Sequence, residues 1–516
     1  MTTTPQLSEL EHIHRAPARD VLDALAAAHP VPASVTDATQ RRARDLVERI
    51  RTETDPGLME TFLSEYGLST DEGVALMCLA EALLRVPDAD TVDALIEDKI
   101  APSEWGEHLG RSSSSLVNAS TWALMLTGKV LDTDASTGVA KVLRGMVKRL
   151  GEPVIRTAVA RAMKEMGRQF VLGQTVEAAL ERSRHPYTYS YDMLGEAAMT
   201  AADAARYFRA YREAIVKLAA RATSDDIRSN PGISIKLSAL HPRYDELKRE
   251  RVMEELVPRV RELARLAATH RMGLNIDAEE ADRLELSLSI FEAVITDAEV
   301  SDWGGLGMVV QAYGKRAGFA IQEVARIAGE AGERAMVRLV KGAYWDTEIK
   351  RAQVDGVEDF PVFARKAETD ANYIQCARQL LGHVPDIYPQ FATHNAHTAA
   401  AVLALADAMG VSDDAYEFQR LHGMGEALHA ELIARHGARV RIYAPVGAHR
   451  DLLAYLVRRL LENGANSSFV SQVLDRDVGV DAIISDPFAA LQSPPDARVA
   501  LPSEIFGARR NSRGWR

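Results

Sequence analysis

The sequence predicts an α/β protein in which an all-α N-terminal region precedes a (β/α)8 barrel. Two observations lead to this prediction. Residues 1–185 show helical spacing of apolar residues almost throughout, and short β-branched or aromatic runs then alternate with helical segments eight times between residues 187 and 464. A barrel of this kind typically takes about 250 residues, which agrees with that span.

The N-terminal region is predicted to be helical from its apolar periodicity. Apolar residues recur at helical spacing in 75–86 and again in 115–131, and further helical segments run from Val139 to Arg184. We therefore predict an N-terminal helical arm, a helical domain, a barrel and a C-terminal segment, with the boundaries 1–70, 71–186, 187–470 and 471–516.

Eight strands are predicted from short runs of β-branched, aromatic and other apolar residues. They are placed at 187–192, 233–237, 274–277, 308–312, 337–341, 390–394, 417–421 and 440–444. Each is followed by a predicted helix, at 199–222, 246–270, 282–298, 318–331, 365–381, 397–409, 426–436 and 448–463. This alternation implies parallel strands joined through helices.

Charge and composition exclude several classes of protein. The 516 residues carry 61 Lys and Arg against 73 Asp and Glu, a formal net charge of −12, so we predict no nucleic-acid partner. The N-terminus has no apolar signal core, and no run of about 18 uncharged apolar residues occurs, which predicts a soluble protein and leaves peripheral membrane contact open. Cys78 and Cys376 are expected to be reduced, buried thiols.

Polar side chains at the predicted strand ends are the first candidates for a site, because catalytic groups of such barrels stand at the C-terminal ends of the strands. Any one of them alone is explained equally well by a stabilising ion pair, but several at one rim favour a functional site. The residues concerned are Lys236, Asp277, Gln311, Arg338, Lys341, Thr393, His394, Asn395 and Tyr443.

A second candidate is the segment 451–466, which follows the eighth predicted strand. On a helix, Tyr455, Arg458, Arg459 and Glu462 share one face. Two adjacent guanidinium groups at the barrel mouth are suited to bind a carboxylate bidentately, a task that lysine performs less well. The alternative is a solvent-exposed stripe with an Arg–Glu pair.

Nucleotide and metal motifs argue against other site types. The dinucleotide motif G-x-G-x-x-G is absent, since Gly423 and Gly425 are followed by Leu428 where the third glycine belongs. His394 and His397 form H-x-x-H without a suitable third ligand nearby, which favours capping or ligand hydrogen bonding over metal binding. We predict no Rossmann domain and no bound metal.

Several segments agree in order and spacing with a known family. They are GISIKLSALHPRY (232–244), LNIDAEEADRLELSL (274–288), VVQAYGKR (309–316), RLVKGAYWD (338–346), QFATHNAHT (390–398), YEFQRLHGMGE (416–426) and, between 441 and 470, RIYAPVG followed by LLAYLVRRLLENGANSSFV. Together they resemble the proline dehydrogenase part of proline utilisation A, a bifunctional bacterial flavoenzyme. The resemblance implies a distorted, TIM-like (β/α)8 barrel that binds FAD without a Rossmann domain. It also implies that L-proline is oxidised to Δ1-pyrroline-5-carboxylate by hydride transfer to flavin N5.

The resemblance assigns residues to a proline site. Arg458 and Arg459 look like a clamp on the proline carboxylate, with Glu462 holding an arginine in place. The rest of the implied site is polar on one side and apolar on the other. Its polar residues are Lys236, Asp277, Tyr443 and Tyr455, and its apolar lining is Ala343, Tyr344 and Leu421.

The resemblance also assigns residues to FAD. The matching positions are Gln311, Arg338, Val340, Lys341, Gly342, Trp345, Thr393, His394 and Asn395. This sequence departs from the family at Ala364, which stands where a hydroxyl residue is usual.

The partners implied by the resemblance are L-proline and a membrane quinone as electron acceptor. A cytoplasmic protein would then contact the inner-membrane surface transiently, and a homodimer of the full-length protein is compatible with the family. LPSEIFGARRNSRG (501–514) resembles the start of a second, aldehyde dehydrogenase domain. Neither cysteine matches the nucleophile of that domain, so we expect the chain to stop before it and to lack the second activity.

Two other functions suit a barrel of this kind. One is a Schiff-base aldolase or lyase that uses Lys236 or Lys341, which borohydride trapping with a carbonyl substrate would reveal. The other is a non-catalytic assembly module in which the Arg–Glu helix is an interface. Self-association without bound flavin would indicate the second.

Overall fold

The computed structural model describes residues 13–53, 171–447, 469–493 and 499–507. Its centre is a closed barrel of eight parallel strands that pair in sequence order, with β1 against β8 completing the circle. The strands are β1 Thr188–Met193, β2 Gly232–Ile235, β3 Gly273–Ile276, β4 Leu306–Gln311, β5 Ala335–Val340, β6 Ile387–Ala392, β7 Glu417–Leu421 and β8 Val440–Val446. The predicted (β/α)8 fold is confirmed, and every predicted strand is present.

Helices surround this barrel as predicted. Those that follow β1 to β7 are Ala201–Leu218, Arg249–Thr269, Leu284–Ile295, Ala317–Ala331, Lys366–Gly382, Ala396–Met409 and Glu426–His436. Shorter helices are Val176–Arg182, Leu237–Leu240, Phe469–Leu474, Val480–Ile483 and Pro487–Leu491. The predicted eighth helix, 448–463, lies outside the described residues.

Among the described helices of more than ten residues, one was not predicted. Trp345–Asp355 is inserted between β5 and Lys366–Gly382, so that two helices follow β5. It ends at Gly356, whose φ of 62° is a left-handed conformation that glycine adopts readily. The inserted helix brings Tyr344 and Trp345 to the carboxyl end of β5.

Side chains alternate between the two faces of each barrel strand. The outward residues, such as Ile233, Leu274 and Val337, are fully buried against the surrounding helices. The inward residues are largely polar, and they form hydrogen bonds across the barrel. Asn275 Nδ2 donates to Gln390 Oε1 (2.8 Å), and the Ser190 and Ser234 hydroxyls lie 3.0 Å apart. The interior is therefore a hydrogen-bonded layer rather than the branched apolar packing usual in such barrels.

The described part of the N-terminal arm packs on the outside of the barrel. Helix Ala18–Ala28 lies on Lys366–Gly382, and helix Ala33–Glu53 lies on Ala396–Met409. The second of these arm helices buries one apolar stripe at helical spacing, formed by Val35, Ala43, Leu46, Val47 and Ile50. The arm is thus part of the barrel's hydrophobic core.

Within residues 13–53, 171–447, 469–493 and 499–507, no helix combines the length and apolar character needed to cross a bilayer.

Candidate active site

Four buried polar side chains and the half-buried Tyr443 meet at the carboxyl end of the barrel. Lys236, directly after β2, donates from Nζ to Asp192 Oδ1 at 2.8 Å and lies 3.4 Å from both Asp277 Oδ2 and the Tyr443 hydroxyl. Asp277, directly after β3, accepts from the Tyr443 hydroxyl (2.7 Å) and from Arg338 (3.0 Å). We call these five residues the rim cluster.

The rim cluster contains two cations and two carboxylates. Burial by itself would lower the pKa of Lys236, but Asp192, Tyr443 and Asp277 outweigh it, so that the pKa of Lys236 lies well above its ordinary value. Burial raises the pKa of Asp192, and the neighbouring Asp277 raises it further, while Lys236 opposes both effects. Lys236 is therefore held as an ammonium ion.

This protonation state argues against Schiff-base chemistry. An amine must lose its proton to attack a carbonyl, and enzymes that use lysine in this way lower its pKa. Lys236 has the opposite environment, and Lys341 forms an ion pair with Asp370. Neither lysine has the setting that an aldolase requires.

Arg338 is the most extensively bonded member of the rim cluster. Its guanidinium donates to Gln419 Oε1 (2.7 Å), to the Ser234 and Ser190 hydroxyls (3.0 Å each) and to Asp277. Its Cζ also lies 5.1 Å from the ring centroid of Tyr443, within the range of a cation–π contact. The barrel interior thus determines the orientation of this guanidinium.

The position of Arg338 and Tyr443 corrects the prediction that they close their strands. Arg338 lies inside β5, two residues before its end, and Tyr443 lies in the middle of β8. Both belong to the inward-facing set, which is why they reach Asp277 from below the rim. Lys236, Asp277, Gln311 and Lys341 do lie at or directly after the ends of their strands.

Gln311 connects the ends of β3, β4 and β5. Its side-chain amide donates to the carbonyl of Glu279 (2.8 Å) and accepts from the backbone N–H of Ala343 (3.3 Å). Between β5 and Ala343, Gly342 has a φ of 140°, and a Cβ placed there would lie 2.5 Å from the Tyr313 ring. Glycine is therefore required for the backbone to follow this path.

Lys341 and Trp345 lie beyond the end of β5. Lys341 and Lys366 both bind the carboxylate of Asp370, so two ammonium groups lie beside one carboxylate. Trp345 donates from its indole N–H to the carbonyl of Phe363 (2.9 Å), next to Ala364. The half-buried Val340 ends β5 between these groups.

The predicted residues after β6 are ordered by hydrogen bonds. Thr393 accepts from the Asn395 N–H (3.2 Å), and Asn395 in turn caps helix Ala396–Met409 by accepting from the Thr398 N–H (3.0 Å). His394 Nε2 accepts from the N–H of Leu421 at 3.0 Å, which joins the ends of β6 and β7. His394 is thus occupied as an acceptor.

The structure therefore gathers the predicted residues into two neighbouring groups. Lys236, Asp277, Arg338 and Tyr443 belong to the rim cluster, together with Asp192 on β1, whereas the others lie around the ends of β4 to β7. The second group comprises Gln311, Val340, Lys341, Gly342, Ala343, Tyr344, Trp345, Thr393, His394, Asn395 and Leu421. Tyr455, Arg458, Arg459 and Glu462 lie outside the described residues.

Sequence reasoning missed Asp192 as a site residue. It is 1% exposed, and its contact with Lys236 at 2.8 Å is shorter than that of Asp277. A signal was present, since Thr188, Ser190 and Asp192 occupy alternate positions of the first predicted strand. That alternation places all three on the inner face of β1, with Asp192 nearest the rim.

A closed parallel barrel with polar groups gathered at the carboxyl ends of its strands defines the class of (β/α)8-barrel proteins with a rim site. Within this class, the chain belongs to the proline dehydrogenase family, because the family model described as proline dehydrogenase matches residues 175–472. A second model, described as the DNA-binding domain of proline dehydrogenase, matches residues 58–170, which lie outside the described residues. That match does not support our prediction that the protein has no nucleic-acid partner, and this statement stays a prediction.

Longer relatives confirm the resemblance noted from the sequence. Bifunctional protein PutA of Rhizobium meliloti is 50% identical over 514 residues, covering 97% of this chain and 41% of that protein. The PutA of Escherichia coli K12 is 46% identical over 524 residues, covering 97% and 40% respectively. A crystal structure of a Bradyrhizobium japonicum proline utilization A mutant superposes with a TM-score of 0.74 at 48% identity, covering 97% of this chain and 51% of that one. The chain thus spans about 40% of the length of these curated relatives.

Proposed function

We propose that this chain is an FAD-dependent L-proline dehydrogenase, which oxidises L-proline to Δ1-pyrroline-5-carboxylate as the first step of proline catabolism to glutamate. The observation that supports this most directly is the buried rim cluster at the carboxyl end of a barrel of the proline dehydrogenase family. When bound, the flavin supplies the hydride acceptor, its N5 atom. The chain supplies orientation, charge and exclusion of water.

The charges of the rim cluster indicate how proline would be held. Lys236 and Arg338 are balanced by Asp192 and Asp277, so the cluster has no surplus cation for the substrate carboxylate. We assign that role to Arg458 and Arg459, with Glu462 orienting an arginine. Two guanidinium groups bind a carboxylate bidentately, whereas an ammonium acts as a point charge.

The remaining proposed proline contacts follow the chemistry of the substrate. Its five-membered ring is apolar, so it suits a wall formed by Ala343, Tyr344 and Leu421, with Tyr455 beside them. Both oxygens of Asp277 accept hydrogen bonds, which makes this residue an anchor for Tyr443 and Arg338. The proline amine must lose a proton before hydride transfer, and we assign no side chain as the acceptor of that proton.

The second group of site residues fits a flavin dinucleotide. It supplies the donors that polar edges of an isoalloxazine need, from Gln311, Thr393 and Asn395. The ammonium groups of Lys341 and Lys366, which lie together at Asp370, suit a diphosphate. These residues, with Arg338, Val340, Gly342, Trp345 and His394, are the ones we propose to hold FAD.

Electrons are proposed to leave the reduced flavin for a membrane quinone. The protein would meet the inner membrane from the cytoplasm and only transiently, and in the full-length protein it would form a homodimer. Proline-dependent reduction of a short-chain quinone by the purified protein tests the acceptor. Reduction of the flavin by proline without any quinone turnover would contradict this part of the proposal alone.

The visible spectrum of the purified protein tests the main proposal. We expect oxidised-flavin bands that bleach anaerobically on addition of L-proline and persist on addition of L-lysine. A colourless protein that stays colourless after incubation with FAD would refute the cofactor. Bound flavin that L-proline leaves oxidised would refute the substrate.

The carboxylate clamp has its own test. Arg458→Met or Arg459→Met is expected to raise the proline KM by about tenfold to a hundredfold, since each removes a charged hydrogen-bonding group. Flavin content should stay close to that of the unaltered protein. Unchanged proline kinetics in both variants would show that the clamp lies elsewhere.

A further inference from the structure

A buried hydrogen-bonded chain runs along the inside of the barrel and ends at Arg338. It begins at Arg441, whose guanidinium donates to the carbonyls of Asn230 (3.0 Å) and Arg228 (2.7 Å). Arg441 also binds Glu417, with Nε 2.8 Å from Oε1. Glu417 therefore links the floor of the barrel to the layers above it.

Glu417 determines how the side-chain amide of Gln419, the next inward-facing residue of β7, is oriented. Gln419 donates from Nε2 to Glu417 Oε1 at 2.7 Å, and its Oε1 accepts from Arg338 Nε at 2.7 Å. An ionised carboxylate only accepts hydrogen bonds, so it selects the amide nitrogen and leaves the amide oxygen directed to Arg338. The four residues of this hydrogen-bonded series, Arg441, Glu417, Gln419 and Arg338, are at most 5% exposed. Water therefore does not compete for the hydrogen bonds between them.

Glu417 is itself held from several sides. Gln390 Nε2 donates to Oε1 at 3.0 Å, and the Tyr388 hydroxyl donates to Oε2 at 3.3 Å. Such a fully bonded buried network allows one arrangement and makes every other one costly. The orientation of Arg338 is consequently determined from the far end of the barrel as well as by Asp277 at the rim.

We propose that Glu417 and Gln419 are positioning residues that act on the flavin and on proline oxidation through Arg338. The inference rests on the proposed function, because Arg338 is assigned there to the FAD site. A guanidinium beside the flavin favours the added negative charge of the reduced form, and the effect depends on its distance and direction. Changes in Glu417 or Gln419 should therefore alter the flavin potential although neither residue lies at the rim.

Gln419→Glu is the sharpest variant, because it keeps the size and the acceptor oxygen for Arg338. Two carboxyl groups would then stand side by side at positions 417 and 419 and share a proton. We expect a lower flavin midpoint potential than in the unaltered protein, and a further pH dependence of that potential where the shared proton titrates, beyond the dependence that proton uptake by the flavin gives to every variant. Gln419→Leu, which removes the acceptor, should lower kcat by about tenfold to a hundredfold with little change in the proline KM.

Gln379→Leu is the matched control. Gln379 is also buried, at 4% exposure, and it donates to the carbonyl of Gly318 (3.0 Å) on the outside of the barrel. We expect this variant to lose folding stability while keeping the flavin potential and kcat. Glu417→Gln, which frees the Gln419 amide to turn over, is expected to lower kcat in the same way as Gln419→Leu.

The outcomes separate this inference from the function on which it rests. Flavin-free protein, or flavin that proline never reduces, would refute the proposed function. Normal flavin reduction by proline, together with an unchanged potential, pH profile and kcat in the folded Gln419 and Glu417 variants, would refute the positioning role alone. A loss of thermal stability in these variants without any change in the flavin potential would show that the hydrogen bonds from Glu417 through Gln419 to Arg338 have a purely structural role. That result would also overturn the inference.

Discussion

Glu279 is a buried carboxyl group two residues after Asp277 of the rim cluster. It is 7% exposed and accepts from the Ser238 N–H (3.0 Å) and hydroxyl, while Arg283 lies 3.3 Å away. Burial raises the pKa of Glu279 to about 7, because its partners offset only part of the lost solvation. Since its carbonyl also binds Gln311, this residue joins the ends of β2, β3 and β4.

The raised pKa of Glu279 predicts a pH-dependent stability. The folded protein binds this proton up to about pH 7, whereas the unfolded chain releases it near pH 4.5, the ordinary pKa. The contribution is therefore complete below pH 4.5 and is lost as the pH rises through 7. Glu279→Gln, which stays neutral, should become more stable than the unaltered apoprotein by up to about 3 kcal/mol across that window.

Urea unfolding of the apoprotein between pH 4.5 and 7.5 measures this difference. Glu262→Gln is the control, because Glu262 is 55% exposed and pairs with Arg212 on the surface. Its unfolding free energy should follow that of the unaltered protein at each pH. If the unfolding free energies of the Glu279→Gln variant and the unaltered protein differ by the same amount at every pH, the raised pKa of Glu279 is contradicted.

At the scale of elements, the side chain of Arg51 makes four hydrogen bonds between the arm helix Ala33–Glu53 and the C-terminal segment. Arg51 donates to the carbonyls of Gln472 (3.1 Å), Val473 (3.0 Å), Asp475 (2.7 Å) and Val478 (2.8 Å). These carbonyls lie at and beyond the end of helix Phe469–Leu474, where backbone acceptors have no partner within the helix. A single guanidinium therefore caps that helix from outside.

We predict that Arg51→Ala lowers the unfolding free energy by about 2 kcal/mol, because several carbonyls lose a charged donor together. Amide hydrogen exchange across 469–483 should become faster in this variant. Arg44→Ala is the control on the same helix: Arg44 is 45% exposed and pairs with Asp481, which is 85% exposed. An exposed pair of this kind is worth about 0 to 1 kcal/mol. Equal losses of unfolding free energy in the Arg51→Ala and Arg44→Ala variants would show that the helix cap stabilises the fold no more than an exposed ion pair does.

At the scale of the whole molecule, the arm and the proposed cofactor residues share one side of the barrel. Lys315, after β4, donates to the carbonyl of Ala16 (2.7 Å), and Gln40 contacts His397 (3.3 Å) at the start of the helix after β6. The arm therefore packs on the βα units whose strand ends carry Gln311, Lys341 and Asn395. Ligand binding at those ends and the global fold are expected to be coupled.

This coupling predicts a large stabilisation by the cofactor. FAD at about a thousand times its dissociation constant should raise the unfolding free energy by about 4 kcal/mol, and NAD should leave it unchanged. Lys341→Met should reduce the FAD increment but retain the stability of the apoprotein, since Asp370 keeps Lys366 as a partner. Lys350→Met, on the exposed face of helix Trp345–Asp355, is the control. A full FAD increment in the Lys341 variant would exclude Lys341 from the cofactor site.

Much of the barrel was predictable because its signals are local. Each strand shows as a short β-branched or aromatic run, so all eight were placed within three residues of their observed bounds. Helix Trp345–Asp355 was missed because its polar, weakly patterned sequence resembles a loop. The same reasoning found Lys236 and Asp277, since each directly follows a recognisable strand.

The sequence by itself determined the number and order of the strands, the rim on which polar groups gather, and the family. These follow from periodicity and motif order, which depend on neighbouring residues. Only the tertiary structure decided that Lys236 pairs most closely with Asp192, that Arg338 and Tyr443 point into the barrel, and that Glu417 reaches Arg338 through Gln419. Such pairings depend on the closure of β1 against β8 and on the register between strands, which bring together side chains far apart in the chain.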